Sequence, residues 1–448
     1  MKKIRIVLFL ILTVSLFANS FVFVQASDED ALISDCVEKF SANTKCNSVS
    51  VAIVSGGETK LIGDSEGLYQ IGSMTKAFTG LGIQKLIQDG LITENDNISD
   101  WLPGFEVYYN NEPCDITIGQ LLKHTSGYTN KEADYPSATG TMSLAEWVGS
   151  ISGRELSAKP GTGYAYSNVN YNLLGAIIEQ ASGKSYKEYM ESEILGPLGL
   201  ENTCVQEPAD GQRIIQGSRL GYRHSFTYII PIAPGQIPAG YFYSNTTDMA
   251  RWMQIWTGTA DIPEQYEDLI CKVKDNLKDT GDYYSGWEFF DNESIGHSGG
   301  TPNYSSRIVF SDEKQIGVCV LTNMNVAAST DSLCNGIYAT YIGQRFDKIQ
   351  TDVWTVFDYI FTAVTIMGVF FVIMSFTIKH RGVLIGSEIF LVLLLVTVCI
   401  VMPLVFGAGL DKIMIIWAPN SFAGGLIMLA AGVISIAAKL WMVRKNEN

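Results

Sequence analysis

An α/β fold with one antiparallel sheet, flanking helices and three C-terminal membrane helices is predicted by three observations in this 448-residue sequence. Strand-like hairpins lie near both ends of residues 27–350, and helix-like segments lie between them. Three long apolar runs follow after residue 350. No low-complexity linker or internal repeat interrupts residues 27–350, which predicts a single large globular unit there.

The two hairpins place β-branched residues on either side of short turns. The first joins Ser48–Val54 to Thr59–Ile62 through Gly56-Gly57. The last joins Ser306–Phe310 to Ile316–Thr322 through a polar turn. Strands from both ends of one unit are expected to pair in a single sheet, which leaves the helical region as an insertion.

The helical region consists of segments with apolar residues at helical spacing, separated by Gly and Pro. We predict helices over Lys76–Gln88, Ile118–Leu122, Ser143–Ile151, Asn168–Ala181, Tyr186–Ile194 and Asp248–Thr257.

The first 26 residues have the pattern of an export signal. Lys2, Lys3 and Arg5 precede an apolar run, and Val24-Gln25-Ala26 supplies a small-residue cleavage site. The alternative is an uncleaved anchor, because apolar residues continue through Phe23. Both alternatives place residues 27–350 outside the cytoplasm.

The C-terminal region, residues 351–448, contains three predicted spans at about Tyr359–Ile378, Val383–Phe406 and Ser421–Val443. The loop after the first span holds Lys379, His380 and Arg381, and the tail after the third holds Arg444 and Lys445. Because positive residues mark the cytoplasmic side, we predict a multi-pass cell-membrane protein in which residues 27–350 are extracytoplasmic and the C-terminus is cytoplasmic.

The formal net charge of −15 argues against nucleic acid as a partner. The eight cysteines and four histidines show no metal-ligand spacing, so the sequence predicts neither a metal nor another cofactor.

Ser73 and Lys76 form the first candidate catalytic pair. Their spacing at a predicted helix start puts hydroxyl and amine one turn apart on one face, where the amine can activate the hydroxyl. The pair alone is weak evidence, because chance supplies it often and a solvated lysine at a helix start fits equally well.

Two further groups follow in order along the chain. Tyr166 and Asn168 stand at a predicted helix start, where a phenol can move a proton and a carboxamide can hold a substrate amide. The alternative is that Tyr166 packs and Asn168 caps the helix. His297, Gly299 and Gly300 precede the last hairpin, and glycines there let a substrate backbone approach a strand.

Together these residues resemble the serine β-lactamase and penicillin-binding protein superfamily, in its class C β-lactamase-like branch of DD-peptidases and D-aminopeptidases, which is similar to peptidase family S12. Leu121–Tyr128 resembles that branch's LLxHTSGL signature, Pro160–Asn168 its PGxxxxYSN run and Pro238–Ser244 its PAGGLYS stretch. The resemblance covers about Ser48 to Asn325 and implies a β-lactamase/transpeptidase-like fold.

The resemblance implies roles for the candidate residues. Ser73 would be the acylated nucleophile, with Lys76 and Tyr166 sharing the general acid and base work. Asn168, His297, Gly299 and Gly300 would bind substrate, with His297 where many relatives have Lys. The backbone N–H groups of Ser73 and Gly300 would form the oxyanion hole. His124 matches a signature without a catalytic role, and we interpret it as structural.

The expected activity is that of a membrane-anchored serine hydrolase, a peptidase specific for D-amino acids. The three-span tail resembles prodrug-activating peptidases of the colibactin and zwittermicin type, which implies an acylated D-amino-acid substrate and an exporter as a partner. One alternative is a penicillin-binding D-alanyl-D-alanine carboxypeptidase or β-lactamase-like cell-wall protein acting on peptidoglycan-like peptides. Another is a catalytically weak sensor or interaction protein. Membrane lipid is an expected contact in each case.

Overall fold

The computed structural model describes residues 29–129, 141–208, 213–290, 293–345 and 348–447. The predicted export signal, residues 1–26, lies outside these ranges. The chain divides into two compact units, residues 1–36 and 37–448, and the features below belong to the second.

A seven-stranded antiparallel sheet forms the centre of the second unit, as predicted from the two terminal hairpins. Strand Val49–Ser55 pairs with Ile316–Thr322, so strands from the two ends of residues 49–322 are neighbours in one sheet. Both predicted hairpins are confirmed. In spatial order the strands are Tyr283–Tyr284, Trp287–Phe289, Ile295–Thr301, Tyr304–Ser311, Ile316–Thr322, Val49–Ser55 and Glu58–Ile62.

The central strands are buried on both faces. Every residue of Tyr304–Ser311 is buried. Ile308 and Phe310 join the main core, together with the neighbouring helix residue Trp256. Val309 points to the other face, since side chains alternate along a strand. Helices therefore cover the sheet on two sides, which is why its strands are apolar almost throughout.

The six predicted helices are confirmed, with bounds shifted by at most two residues. The helix predicted over Tyr186–Ile194 is α-helical only to Tyr189, and a π-helical turn, Met190–Leu195, completes it. The described helices before residue 350 that lie wholly in the second unit are Thr75–Gln88, Ile98–Trp101, Ile118–Leu122, Leu144–Ile151, Asn168–Ser182, Tyr186–Tyr189, Ile237–Gly240, Thr246–Thr257, Glu264–Thr280 and Ala327–Tyr341. Helix Glu29–Thr44 begins in the first unit and ends in the second.

The described residues also form three small sheets. Two have two strands each, Tyr69–Gln70 with Tyr243–Ser244 and Ser218–Gly221 with His224–Thr227, and one has three strands, Glu112–Cys114, Val107–Tyr109 and Arg154–Glu155.

Three C-terminal helices are long and apolar enough to cross a membrane: Val353–Thr377, Arg381–Phe406 and Asn420–Glu447. Each begins before the predicted span, by six residues in the first helix. These additional residues end at the polar Asp358, and Asp352, just before the helix, caps it by accepting the N–H of Trp354. The uninterrupted apolar run therefore begins only after Asp358, whereas the helix starts earlier.

Glycines allow the sheet to approach the segment that carries Ser73. Gly72 has φ +54°, and a Cβ there would overlap the backbone nitrogen of Gly300. Gly286, with φ +88°, lies equally close to the backbone of Ala77. Both glycines are therefore required by a positive φ and by close backbone packing.

We expect Gly72→Ala to destabilise the protein more than Gly90→Ala. Both positions have positive φ, which costs an L residue about 1 kcal/mol, but a Cβ at Gly90 meets nothing within 4 Å. The overlap at Gly72 adds roughly 1–3 kcal/mol. Thermal unfolding of the two variants measures the difference, and equal losses would contradict the close approach.

Candidate active site

Ser73 lies one helical turn before Lys76. It belongs to a short 3₁₀ segment, Gly72–Met74, that leads directly into the Thr75–Gln88 helix. The three-residue spacing puts both side chains on one face, and Lys76 Nζ lies 3.0 Å from Ser73 Oγ. The structure thus brings the predicted nucleophile and its predicted activator into hydrogen-bond contact.

Lys76 is completely buried. Besides its contact with Ser73, its Nζ donates hydrogen bonds to Asn168 Oδ1 at 2.6 Å and to the Ala239 carbonyl oxygen at 2.6 Å. A lysine ammonium has three N–H donors, so acceptors from three separate segments satisfy it. Because an unsatisfied buried amine is costly, Lys76 holds these segments together.

Asn168 can reach Lys76 because another residue caps its helix. Ser167 has extended backbone angles, and its Oγ accepts the N–H of Val169 at 3.3 Å. Ser167 is therefore the N-cap of the Asn168–Ser182 helix. The alternative in which Asn168 caps the helix is wrong, and its carboxamide is left to bind the lysine.

His297 lies on strand Ile295–Thr301 and is only 2% exposed. Its Nδ1–H donates to the Ser298 carbonyl at 2.6 Å, so Nε2 is the acceptor in the neutral ring. The Tyr283 hydroxyl donates to Nε2 at 3.2 Å. Burial, followed by the charge of Lys76, lowers the pKa of His297 to about 3. The side chain is therefore neutral near pH 7.

Tyr166 lies within reach of both Lys76 and His297. Its ring centroid is 4.9 Å from Lys76 Nζ and 6.1 Å from the centroid of the His297 ring. The structure thus brings together the three groups of residues that stand far apart in the sequence.

His124 supports Tyr166 from behind, with ring centroids 4.5 Å apart. Its Nδ1 accepts the Ser167 N–H at 3.3 Å and a hydrogen of Asn170 Nδ2 at 2.8 Å. Burial first, and Lys76 second, hold the pKa of His124 well below its ordinary value. These contacts agree with a structural interpretation, since the histidine fixes the loop that carries Tyr166.

The two glycines after Ser298 differ in their surroundings. A Cβ on Gly299 would overlap the carbonyl oxygen of Ile71, so that position is closed by packing. Gly300 is exposed, and a Cβ there would meet nothing within 4 Å. Its backbone borders a narrow cleft. The residues that line this cleft are Ser73, Asn168, Asn172, Gln236, Ala239, Gly240, Tyr241 and Gly300.

Sequence reasoning missed several residues of this site. Asn172, one turn after Asn168, accepts the Ala239 N–H at 3.1 Å and so orients the peptide that binds Lys76. Its four-residue spacing from Asn168 could have identified it, because residues at this spacing lie on one face of a helix. Tyr241 occupies the position of the second glycine in the PAGGLYS stretch, and this departure could have identified it as well. No feature of the sequence around Tyr283 indicates that it belongs to the site. In the described ranges, no cluster of His, Cys, Asp and Glu is placed to hold a metal ion.

The sequence model of the family described as Beta-lactamase matches residues 33–337. This match and the sheet flanked by helices define the class of protein as a serine hydrolase with a β-lactamase-like fold. The chain belongs to the beta-lactamase family.

The relatives are penicillin-binding and related proteins. Protein flp of Staphylococcus aureus strain MRSA252 is 33% identical over 270 residues, 57% of this chain and 53% of that protein. Penicillin-binding protein 4* of Bacillus subtilis strain 168 is 31% identical over 265 residues, 54% of this chain and 57% of that protein. The chain spans about half the length of the curated relatives it matches.

Solved structures show the same fold. The octameric penicillin-binding protein homologue from Pyrococcus abyssi has a TM-score of 0.60 at 23% identity, covering 74% of this chain and 81% of that one. A beta-lactamase/D-alanine carboxypeptidase from Pseudomonas syringae has a TM-score of 0.60 at 16% identity, covering 71% and 99%. At these identities the likeness concerns the fold alone.

We expect acid to destabilise the protein through His297. The pKa of His297 falls from its ordinary 6.5 in the unfolded chain to about 3 in the folded protein. Between these two pH values the unfolded chain binds a proton at His297 and the folded protein does not. Stability therefore falls as pH decreases from about 6.5, by roughly 1 kcal/mol per pH unit. His297→Gln should lose less stability over the same range. Unfolding of the full chain measured at several pH values tests this, and parallel profiles would refute it.

Proposed function

We propose that Ser73 is the nucleophile of an acyl-transfer reaction on amide or ester bonds. The observation that carries this proposal is the 3.0 Å contact between Ser73 Oγ and the buried Nζ of Lys76. A serine hydroxyl needs an adjacent base to attack a carbonyl at neutral pH, and Lys76 is placed to be that base.

The hydrogen bonds of Lys76 suit both of its protonation states. A neutral amine keeps two N–H donors for Asn168 Oδ1 and Ala239 O, and its lone pair accepts the Ser73 O–H. When Ser73 Oγ bonds to the substrate carbonyl carbon, its proton moves to Nζ. The resulting ammonium then has a third N–H for Ser73. Lys76 can thus take up a proton without rearrangement of its neighbours.

Tyr166 would complete the proton transfer. Its hydroxyl proton passes to the leaving nitrogen or oxygen as the carbonyl–leaving-group bond breaks, and Lys76 restores that proton. Water then attacks the acyl-Ser73 ester, and the same groups run in reverse. The negative charge on the carbonyl oxygen would be held by the backbone N–H groups of Ser73 and Gly300.

The substrate proposed is a small peptide or acylated amino acid with a D residue. Asn168 would bind its amide. His297 would bind a polar group next to the scissile bond by exchanging its hydrogen bond with Tyr283. A neutral His297 offers no cation for a carboxylate, unlike the Lys of many relatives. This favours a D-amino-acid amide or ester over efficient β-lactam hydrolysis, and it fits removal of an acyl-D-amino-acid cap from an exported product.

A cell-wall carboxypeptidase is the second candidate function. It is favoured by the relative that is named for penicillin binding. A catalytically weak sensor has less support, because Ser73, Lys76 and Asn168 keep a connected hydrogen-bond network.

The membrane location proposed rests on the three apolar helices and on the positive residues beside them. In this proposal residues 27–350 form the extracytoplasmic hydrolase domain and residues 351–448 the membrane domain. Residues 1–26 act as the export signal, and an exporter of the substrate is the expected partner.

We expect a fluorophosphonate or fluorescent penicillin probe to label the purified full chain at Ser73. Ser73→Ala should abolish the label because the nucleophile is gone, whereas Ser192→Ala, at an exposed serine on another helix, should leave it unchanged. Mass spectrometry of the labelled peptide locates the adduct. Labelling of Ser73→Ala, or no labelling of the folded parent, would contradict the proposal.

We expect hydrolysis of an N-acyl-D-amino-acid amide to exceed that of its L enantiomer by at least about tenfold, since only one hand can present its carbonyl to Ser73 with its side chain in the cleft. Chromatography of the products measures both rates, with Ser73→Ala as the blank. Equal rates would remove the D-specific proposal. A preference for penicillin or a D-alanyl-D-alanine peptide would favour the cell-wall alternative.

We expect single cysteines at Lys379 and Asp411 to react from opposite sides of the membrane. Intact cells treated with a membrane-impermeant maleimide should label position 411 only, because positive residues stay inside. Opened membranes should label both positions. Exclusive labelling of position 379 in intact cells would reverse the proposed topology.

A further inference from the structure

A hairpin of the hydrolase domain contacts the membrane helices through a buried carboxylate. The hairpin joins Ser218–Gly221 to His224–Thr227, and Tyr222 and Arg223 form its turn. Asp358 has no exposed surface. It accepts the backbone N–H of Tyr222 at 2.7 Å and that of Arg223 at 2.8 Å. Both oxygens of Asp358 are thus used to hold the tip of the hairpin.

The contact between the hairpin tip and the first membrane helix lies near the start of the predicted span. The Tyr222 hydroxyl is 3.5 Å from Thr365 Oγ1, on the first membrane helix. Thr365 is six residues beyond Tyr359, where the predicted span begins, or about 9 Å along a helix. The Arg223 guanidinium lies 4.5 Å from the Tyr359 ring. Arginine and tyrosine are typical of the boundary between hydrocarbon and water, so the hairpin tip reaches that boundary.

A second contact fixes the far end of the hairpin at the same boundary. The Arg219 guanidinium donates to the carbonyl oxygens of Met414, at 2.6 Å, and Ile415. The Tyr228 hydroxyl donates to the Ile415 carbonyl at 2.8 Å. Both carbonyls belong to the segment Ile413–Trp417 between the second and third membrane helices. Ile415 is itself 40% exposed.

Large apolar side chains are exposed beside these contacts. Phe226 is 42% exposed and pairs with Arg219 across the hairpin, and Ile229 is 72% exposed and follows Tyr228. Ile230 and Pro231 extend the apolar run. We call residues 226–231 the apolar segment. Burying one such side chain gains roughly 1.5–3 kcal/mol, so continuity with the membrane helices favours lipid as its cover.

We propose that the apolar segment inserts into the boundary between headgroups and acyl chains of the bilayer that the three helices span. This inference rests on the proposed membrane location. Ile229 and the cleft residue Gln236 are seven residues apart, so their separation cannot exceed about 25 Å. Insertion of the apolar segment would therefore hold the cleft within about 25 Å of that boundary.

The test uses the full chain in lipid nanodiscs, with an environment-sensitive fluorophore on one introduced cysteine. The background is Cys271→Ser, which removes the exposed native thiol, and its own labelling is the blank. The label is placed at Ile229→Cys. Glu58→Cys is the water-facing control. Strand Val49–Ser55 starts on the side of the sheet near the hairpin and runs away from it to the turn before Glu58, so position 58 lies at the far end of that strand. Ile366→Cys, 65% exposed on the first membrane helix, is the lipid control.

Lipids that carry a nitroxide near the headgroup end of the acyl chain should quench the label at position 229 at least about twofold more than that at 58. Equal quenching at 229 and 58, with strong quenching at 366, would overturn the lipid contact and leave the membrane location intact. Weak quenching at all three positions would overturn both. A blue-shifted label at 229 that lipid does not quench would show that protein, such as a second copy of this chain, covers the segment, and would also overturn the proposal.

Discussion

The buried amine of Lys76 is the interaction on which the site depends. Its donors must be satisfied inside the protein because no water reaches it, and the acceptors come from the Ser73 segment, the Asn168 helix and the Ala239 peptide. One side chain therefore requires three distant segments to converge. The same requirement leaves the Ser73 hydroxyl at the edge of the cleft, in contact with the Lys76 amine.

Close packing of backbone supplies the second constraint. Gly72 and Gly299 remove side chains where the Ser73 segment meets the sheet, so strand Ile295–Thr301 lies directly against it. His297 is on that strand and is buried by this approach, which lowers its pKa and keeps it neutral. The packing that positions the site therefore also determines the charge of His297. The consequence is an uncharged histidine on the strand whose Gly300 borders the cleft.

The three apolar C-terminal helices are joined to the strand that carries His297 by a short series of hydrogen bonds. Asp358 holds the hairpin turn, and the Ser218 N–H at the start of the hairpin donates to the Asn303 carbonyl at 3.2 Å. Asn303 follows the end of the strand that carries His297. The domain with the seven-stranded sheet is thus fixed to the apolar helices by buried polar groups as well as by the connecting chain. Such contacts favour one orientation of the cleft relative to these helices.

The sequence by itself determined the elements and the candidate residues. Periodicity located the hairpins and the six helices, and ordered motifs selected Ser73, Lys76, Tyr166 and Asn168, because local spacing controls both. Only the tertiary structure decided what depends on contacts between distant residues. In the folded chain Ser167, and not Asn168, is the helix cap. Tyr283 is hydrogen-bonded to His297, and Asp358 accepts the backbone N–H of Tyr222 in the hairpin turn. Burial and hydrogen-bond satisfaction are properties of the assembled chain, so no single segment encodes them.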